Sequence, residues 1–248
     1  MKKFFTILTT ATILAMMVVS CNDKDENPID NEVRKLPSKV MTILTNVTTG
    51  DLRNDTVFYE YDNENRLVKI IRSRPGSGPE HNFTTIYEYT NNVLSKAISN
   101  LGGNLTETTY YYADNQIFAI NSSSDTMVLT IVNEQLEKIV IRRNGTEFSS
   151  ISFTYDSDGN MISMGGPNTP TTFYEYSGIK SVFRHVNIPS WFAFTINVGS
   201  RYMVSKTTMG TIISNFTYEV DEDGYVTTQT RTSSNDVSPT TYEYILAK

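Results

Sequence analysis

The sequence predicts an all-β fold, an antiparallel up-and-down meander of many short strands that curls and closes into a flattened barrel. Three observations predict it. A phrase of two tyrosines flanking a glutamate returns at Tyr59-Glu60-Tyr61, Tyr87-Glu88-Tyr89, Tyr174-Glu175-Tyr176 and Tyr242-Glu243-Tyr244. Looser copies stand at Tyr110-Tyr111-Tyr112, Phe153-Thr154-Tyr155 and Tyr218-Glu219-Val220. Repetition of this kind marks one hairpin unit of roughly twenty to twenty-five residues used many times. Second, apolar, aromatic and β-branched runs fill the chain after Leu36, separated by Asn, Asp, Gly and Pro, and none shows a helical period. Third, side chains alternate across a strand, so Val57, Tyr59 and Tyr61 share one face, as do Ile151, Phe153 and Tyr155, and Phe216, Tyr218 and Val220. One face is aromatic and the other polar with recurring Glu. A single sheet of so many strands leaves two open edges and an uncovered apolar face unless it closes with the tyrosines inside.

The elements follow in order. Residues 1–20 read as a secretion signal, with Lys2 and Lys3 before an uncharged stretch from Phe4 to Val19 that is too short and wrongly flanked for a spanning helix. Cys21 is the only cysteine among 248 residues. Val18-Val19-Ser20-Cys21 resembles a bacterial lipobox, which makes Cys21 the lipidated residue and leaves the mature chain without cysteine chemistry. Residues 21–35 are polar and charged, a flexible acidic tether. Its start resembles the signals that send lipoproteins of some gut-dwelling Gram-negative anaerobes to the cell surface. Residues 36–248 form one barrel domain, because no linker or shift in composition divides them.

Within that domain the strands run from Ser38 to Asn46, Asp55 to Asp62, Arg66 to Ser73, Phe83 to Thr90, Val93 to Ser99 and Thr106 to Ala113. Next come Gln116 to Asn121, Thr126 to Val132, Leu136 to Arg143, Phe148 to Tyr155, Met161 to Met164 and Thr171 to Tyr176. Lys180 to Val186, Phe192 to Asn197, Arg201 to Thr208, Thr211 to Val220, Tyr225 to Thr232 and Thr240 to Leu246 complete the set. Connections this short join only antiparallel neighbours. Three turns, at Asp62-Asn63-Glu64-Asn65, Asp156-Ser157-Asp158-Gly159 and Asp221-Glu222-Asp223-Gly224, share a pattern of strand end, Asp/Asn/Gly cluster and new strand.

The units at Tyr59 to Ile70, Phe153 to Ser163 and Tyr218 to Thr228 resemble YD repeats. Their setting resembles a family of gut-bacterial lipoproteins described as having a porin-like fold. That resemblance covers most of the chain after Leu36; it implies a barrel of antiparallel strands and carries no activity with it. It does not imply a pore. Most runs are shorter than the nine to eleven residues of a spanning strand. Lys69 and Arg72 in one run, and Lys138 and Arg142 in another, interrupt a lipid-facing belt.

Neither catalysis nor a cofactor is expected. The two histidines, His81 and His185, sit in no nucleophile or metal motif. The recurring Glu belong to the structural unit, which argues for a solvated face over a chosen acid/base pair. The calcium-like phrase from Asp156 to Asn160 places Met161 and Pro167 where an EF-hand needs Gly and Glu, so it reads as hairpin chemistry and no metal is expected. Loss of Lys2 and Lys3 with the signal takes the net charge from −6 to −8, which disfavours nucleic acid. The least repeat-like segment, Arg184 to Arg201, holds His185, Trp191, Phe192 and Phe194, an aromatic group read as a candidate binding surface or as a plug of the barrel. The expected function is therefore non-catalytic binding of an extracellular glycan or protein by an outer-membrane lipoprotein. A structural or assembly subunit of an envelope complex, and a carboxylate hydrolase, are the alternatives.

Overall fold

The computed structural model describes residues 33–45, 52–76, 78, 81–122, 125–167, 169–195, 200–234 and 236–248, and Val33–Lys248 form one compact unit. The signal, Cys21 and the tether up to Glu32 lie outside the described residues. The strands are β1 (Lys35–Thr45), β2 (Leu52–Tyr61), β3 (Leu67–Ser73), β4 (Phe83–Thr90), β5 (Val93–Leu101), β6 (Asn104–Ala113), β7 (Gln116–Asn121) and β8 (Thr126–Val132). They continue as β9 (Gln135–Arg143), β10 (Thr146–Tyr155), β11 (Met161–Gly166), β12 (Thr169–Lys180), β13 (Tyr202–Met209), β14 (Ile212–Val220), β15 (Val226–Ser233) and β16 (Asp236–Leu246). One short helix, α1 (Ser190–Thr195), interrupts the series. Each strand pairs with its neighbours in sequence, and β1 pairs with β16, so the protein is a closed antiparallel barrel of sixteen strands. Closure removes the open edges that a long meander would otherwise expose.

The aromatic face points inward, where Val57, Tyr59, Tyr61, Tyr89, Ile151 and Tyr155 pack on a core of Leu67, Tyr87, Leu94, Leu136 and Phe153. The glutamate between the tyrosines points outward. Glu60, Glu175 and Glu243 bond the ammonium groups of Lys69, Lys206 and Lys39 at 2.9, 2.7 and 2.6 Å, and Glu88 stands opposite Lys96 in the ladder. Exposed pairs of this kind are each worth under about 1 kcal/mol. Arg72 corrects an expectation, because it faces the interior. Its Nε donates to Asp55 at 2.8 Å, and Arg74 bonds the same carboxylate. Burial raises the Asp55 carboxyl, but hydrogen bonds from Arg72 and Arg74 outweigh it and hold the group below its ordinary range.

The tyrosine that closes the repeated triplet has a definite task in six copies, and in the seventh, where Val220 closes the triplet, Tyr218 takes it over. Where each even-numbered strand turns into the next, the odd-numbered strand carries a bulge. Val68, Ser95, Glu137, Ile162, Ser205, Thr227 and, across the β16–β1 closure, Ser38 are the seven extra residues. A bulge disrupts the ladder locally and leaves backbone groups short of partners. The carbonyl just before each bulge accepts a phenol hydroxyl from the next even strand along the chain. The pairs are Tyr61 to Pro37, Tyr89 to Leu67, Tyr112 to Leu94, Tyr155 to Leu136, Tyr176 to Met161, Tyr218 to Val204 and Tyr244 to Val226. The exception obeys the same logic: β6 and β7 pair without a bulge, and β8, the next strand, carries Ile131 where the others carry tyrosine. The β16–β1 junction repeats the hairpin register with no turn joining the two strands.

Tyr155→Phe, which leaves the Leu136 carbonyl without its 2.6 Å partner, is therefore expected to cost about 1–2 kcal/mol. Tyr111→Phe, on the exposed outer face, should stay within about 0.5 kcal/mol. Urea denaturation of both variants checks this, and equal effects would refute the latch.

The turns agree with their sequence reading. Oδ1 of Asp62, Asp156 and Asp221 each accepts two backbone amides of its own loop, at 2.8 to 3.0 Å. The loop then reverses through a left-handed residue, Asn65 at φ 59° or Gly159 at φ 82°. The Asn160 side chain, followed by the loop amides, holds the Asp156 carboxyl below its ordinary range.

Two expected strands are absent among the described residues. Lys180 to Val186 leaves the sheet after Lys180 and coils through turn bonds from Arg184 N to Ser181 O and from Val186 N to Phe183 O. Phe192 to Asn197 opens within α1, and Ile196 and Asn197 lie outside the described residues. Both runs are apolar because they bury against the barrel interior, and burial asks for the same residue types whether or not a strand forms.

Candidate functional site

Even-numbered strands all end at one mouth of the barrel, and the segment between β12 and β13 lies over that mouth as a cap. Its base is closed by Ser181 N donating to Arg201 O at 2.8 Å. From there it docks on three hairpin turns. The Asn187 backbone amide donates to Asn65 O at 3.0 Å and its Nδ2 to Glu64 O at 3.3 Å. The Ser190 hydroxyl bonds Glu134 O, and the Arg184 guanidinium stacks 3.6 Å from the Tyr225 ring centroid. Pro189 stands just before α1, its carbonyl accepting the amides of Phe192 and Ala193 at 3.0 Å.

This helix inserts its aromatic side into the barrel. Trp191 is 6% exposed and Phe192 2%, although a presented binding surface would leave those rings open. Trp191 lies 5.6 Å from Tyr110 and 6.2 Å from Tyr112, and Phe192 meets Tyr87 edge-on at 5.0 Å. Such ring contacts add about 0.5–1.5 kcal/mol each to the burial. His185 is half-buried beside Tyr225, whose hydroxyl donates to Val33 O and accepts from Lys35 N, both at 2.9 Å. The Phe194 side chain lies outside what is described. Three of the nominated residues thus sit together in the cap, where their rings pack into the structure.

Trp191 and Phe192 of the cap fill the interior beside β4 and β6. On the side of β10 to β16 there remains a cavity of about 390 Å³. Its apolar wall comes from Phe153, Met161, Met164, Phe183, Met203 and Phe216, and its polar groups include Tyr176, Tyr218, Tyr242 and Gln229. Three of the phenols are already engaged: Tyr176 with Met161 O and Ser200 Oγ, Tyr218 with Val204 O, and Tyr242 with Gln229 Oε1 at 3.0 Å. Burial pushes the Tyr218 and Tyr242 hydroxyls well above their ordinary range, so they stay protonated at neutral pH. What the chamber offers is a set of ring faces and thioethers with few groups to donate or accept.

Sequence reasoning passed over this chamber because its tyrosines look like every other copy of the repeat. The available signal was methionine: Met161, Met164 and Met203 gather on this wall, Met161 at the place where other copies carry Leu67, Leu94 and Leu136.

The fold has porin-like neighbours among solved structures. A porin-like protein from Bacteroides uniformis superposes with a TM-score of 0.59 at 16% sequence identity, over 84% of this chain and 98% of its own. A second porin-like protein, from Bacteroides vulgatus, shares 14% identity over 85% of this chain and 99% of its own, with a TM-score of 0.37. No protein-family model and no curated protein matches the chain.

Proposed function

We propose that this is a lipid-anchored protein of the outer membrane, facing outward, whose barrel is a container for a small and mainly apolar ligand. The cavity beneath the cap carries the reading. Native cores leave few voids larger than a water, whereas binding chambers measure roughly 300–1,000 Å³ with mostly apolar walls. At about 390 Å³ this one falls in the second class. Of the glycan and protein ligands expected from the sequence, a protein segment is too large to be enclosed. A sugar would find stacking faces but fewer partners for its hydroxyls, because the Tyr176, Tyr218 and Tyr242 phenols bond the wall itself. An apolar ring system fits best.

The outer face supports attachment by lipid over spanning by strands. Polar residues stand outward in pairs across β14 and β15, Thr217 with Thr230 and Asn215 with Thr232. The Glu60–Lys69 and Glu175–Lys206 pairs add charge to the same face, where a lipid-exposed Lys costs up to about 2–4 kcal/mol at the midplane. Anchoring then falls to Cys21. Cys21→Ser should move the protein from the membrane pellet to the soluble fraction, and a variant that still pellets after a salt wash would sink the anchor.

For the chamber, 1-aminoanthracene, an apolar fluorophore that brightens when desolvated, is expected to bind saturably with one site per chain. Met164→Trp fills the cavity and should weaken that binding at least tenfold while the thermal transition persists. No saturable binding, or binding indifferent to Met164→Trp, would rule out the container.

A further inference from the structure

The wall of the chamber is unzipped on one side. Between β11 and β12 the last ladder pair toward the capped mouth is Ser163 with Phe173, although β11 begins at Met161 and β12 runs on to Lys180. Between β13 and β14 pairing spans only Lys206–Asn215 to Met209–Ile212, although β13 begins at Tyr202 and β14 continues to Val220. The upper parts of β12 and β13 remain bonded to each other, through Tyr176–Val204 and Lys180–Tyr202. They form a two-stranded flap with no ladder pair to either neighbour among the described residues. Across its two margins run phenol hydrogen bonds, from Tyr176 to Met161 O on β11 and from Tyr218 on β14 to Val204 O.

That flap is the outer wall of the chamber, to which it contributes Tyr174, Tyr176, Tyr202 and Val204. A groove of about 570 Å³ opens on its β11 margin, and Tyr174, Tyr176 and Tyr202 line both groove and chamber. The groove also holds an unmet polar group. Asn160 is 3% exposed and lines it; its Nδ2 donates to Asp156 Oδ2 at 3.0 Å, but its Oδ1 accepts no hydrogen bond. A buried amide oxygen without a donor is costly, on the order of 1–3 kcal/mol, and rare in native structures. The Asp156 and Asp158 carboxylates line the groove too, adding further acceptors.

We infer that the ligand reaches the chamber sideways, through the β11–β12 gap, and comes to rest with a hydrogen-bond-donating head, an amine or hydroxyl, on Asn160 Oδ1 and its apolar body among the rings. This rests on the container reading and refines it. An apolar compound without a donor head leaves the Asn160 oxygen unpaired and binds more weakly. Access leaves the Trp191 and Phe192 rings packed in the opposite half of the interior, while Val182 and Phe183, the part of the cap that lines the chamber, move with the flap. Opening the flap breaks its phenol bonds to the neighbouring strands and leaves the β12–β13 ladder whole.

The test uses the purified protein with 1-aminoanthracene and with anthracene, its parent without the amine. Asn160→Leu should weaken 1-aminoanthracene at least tenfold and leave anthracene within threefold. Gly178→Trp tests the route. Gly178 lines the groove, and a Cβ built there meets nothing within 4 Å, so a side chain has room at its base and an indole there is designed to reach across the gap. In stopped-flow fluorescence this variant should slow association and dissociation together, each at least tenfold, with the dissociation constant nearly unchanged; a purely structural defect would change affinity instead. If Asn160→Leu does not fold, the Gly178→Trp kinetics decide alone. Equal losses for both compounds in Asn160→Leu, or wild-type rates in Gly178→Trp, overturn the inference and leave the container standing. Failure of both compounds to bind the wild-type protein overturns the two together.

Discussion

Trp191→Ala is expected to destabilise the barrel by about 3–5 kcal/mol, the cost of removing a large aromatic from a packed interior. The indole is 6% exposed and contacts Tyr110, Tyr112 and Phe192, so its loss opens a cavity that the hydrogen-bonded wall of β6 cannot collapse to fill. It also loosens α1 from the mouth it covers. The chain has one tryptophan, which makes the burial directly readable. Wild-type emission should be blue-shifted and resist iodide quenching, and the variant should melt well below wild type. A red-shifted, quenchable spectrum, or a change in stability under about 0.5 kcal/mol, would mean that Trp191 is presented to solvent and that the cap is a binding loop.

Alkaline pH should unfold this protein over a narrow range. Burial pushes the Tyr59 and Tyr110 hydroxyls from an ordinary 10.0 up to about 12. Tyr61, Tyr87, Tyr155, Tyr218 and Tyr242 are raised further, with burial as the leading cause in each. Above pH 10 the unfolded chain releases these protons while the folded barrel keeps them, so the folded state binds more protons and rising pH favours unfolding. The stabilisation is complete below pH 10 and is lost as pH climbs toward 12, at about 1.4 kcal/mol per pH unit for each group. Tyr59 and Tyr110 alone remove on the order of 5 kcal/mol by pH 12, comparable with the whole stability of many domains. Urea midpoints measured from pH 8 to 11.5 should be flat at first and then fall steeply, with phenolate absorbance rising in the same transition. A midpoint unchanged at pH 11.5, or tyrosines that ionise without unfolding, would contradict the buried latches.

By itself the sequence determined what is local. Phe83 to Thr90, Gln116 to Asn121 and Thr126 to Val132 are strands with the expected ends, because period-two alternation and turn residues act within a few positions. The Tyr59/Tyr61 face was legible for the same reason, and with it the need for the sheet to close. Tertiary structure decided the rest. Apolar content in Lys180 to Val186 and at Trp191 and Phe192 announces burial, but a strand, a coil and a helix bury the same side chains, and only docking on the turns at Asn65 and Glu134 selects the cap. The tyrosine latches join one hairpin to the bulge of the hairpin before it, and no property of Tyr155 within its own strand names Leu136 as its partner. The chamber depends on closure itself. Tyr174 and Tyr242 stand far apart in sequence and share a wall only because β16 returns to pair with β1 and brings the last strands round to face the cap.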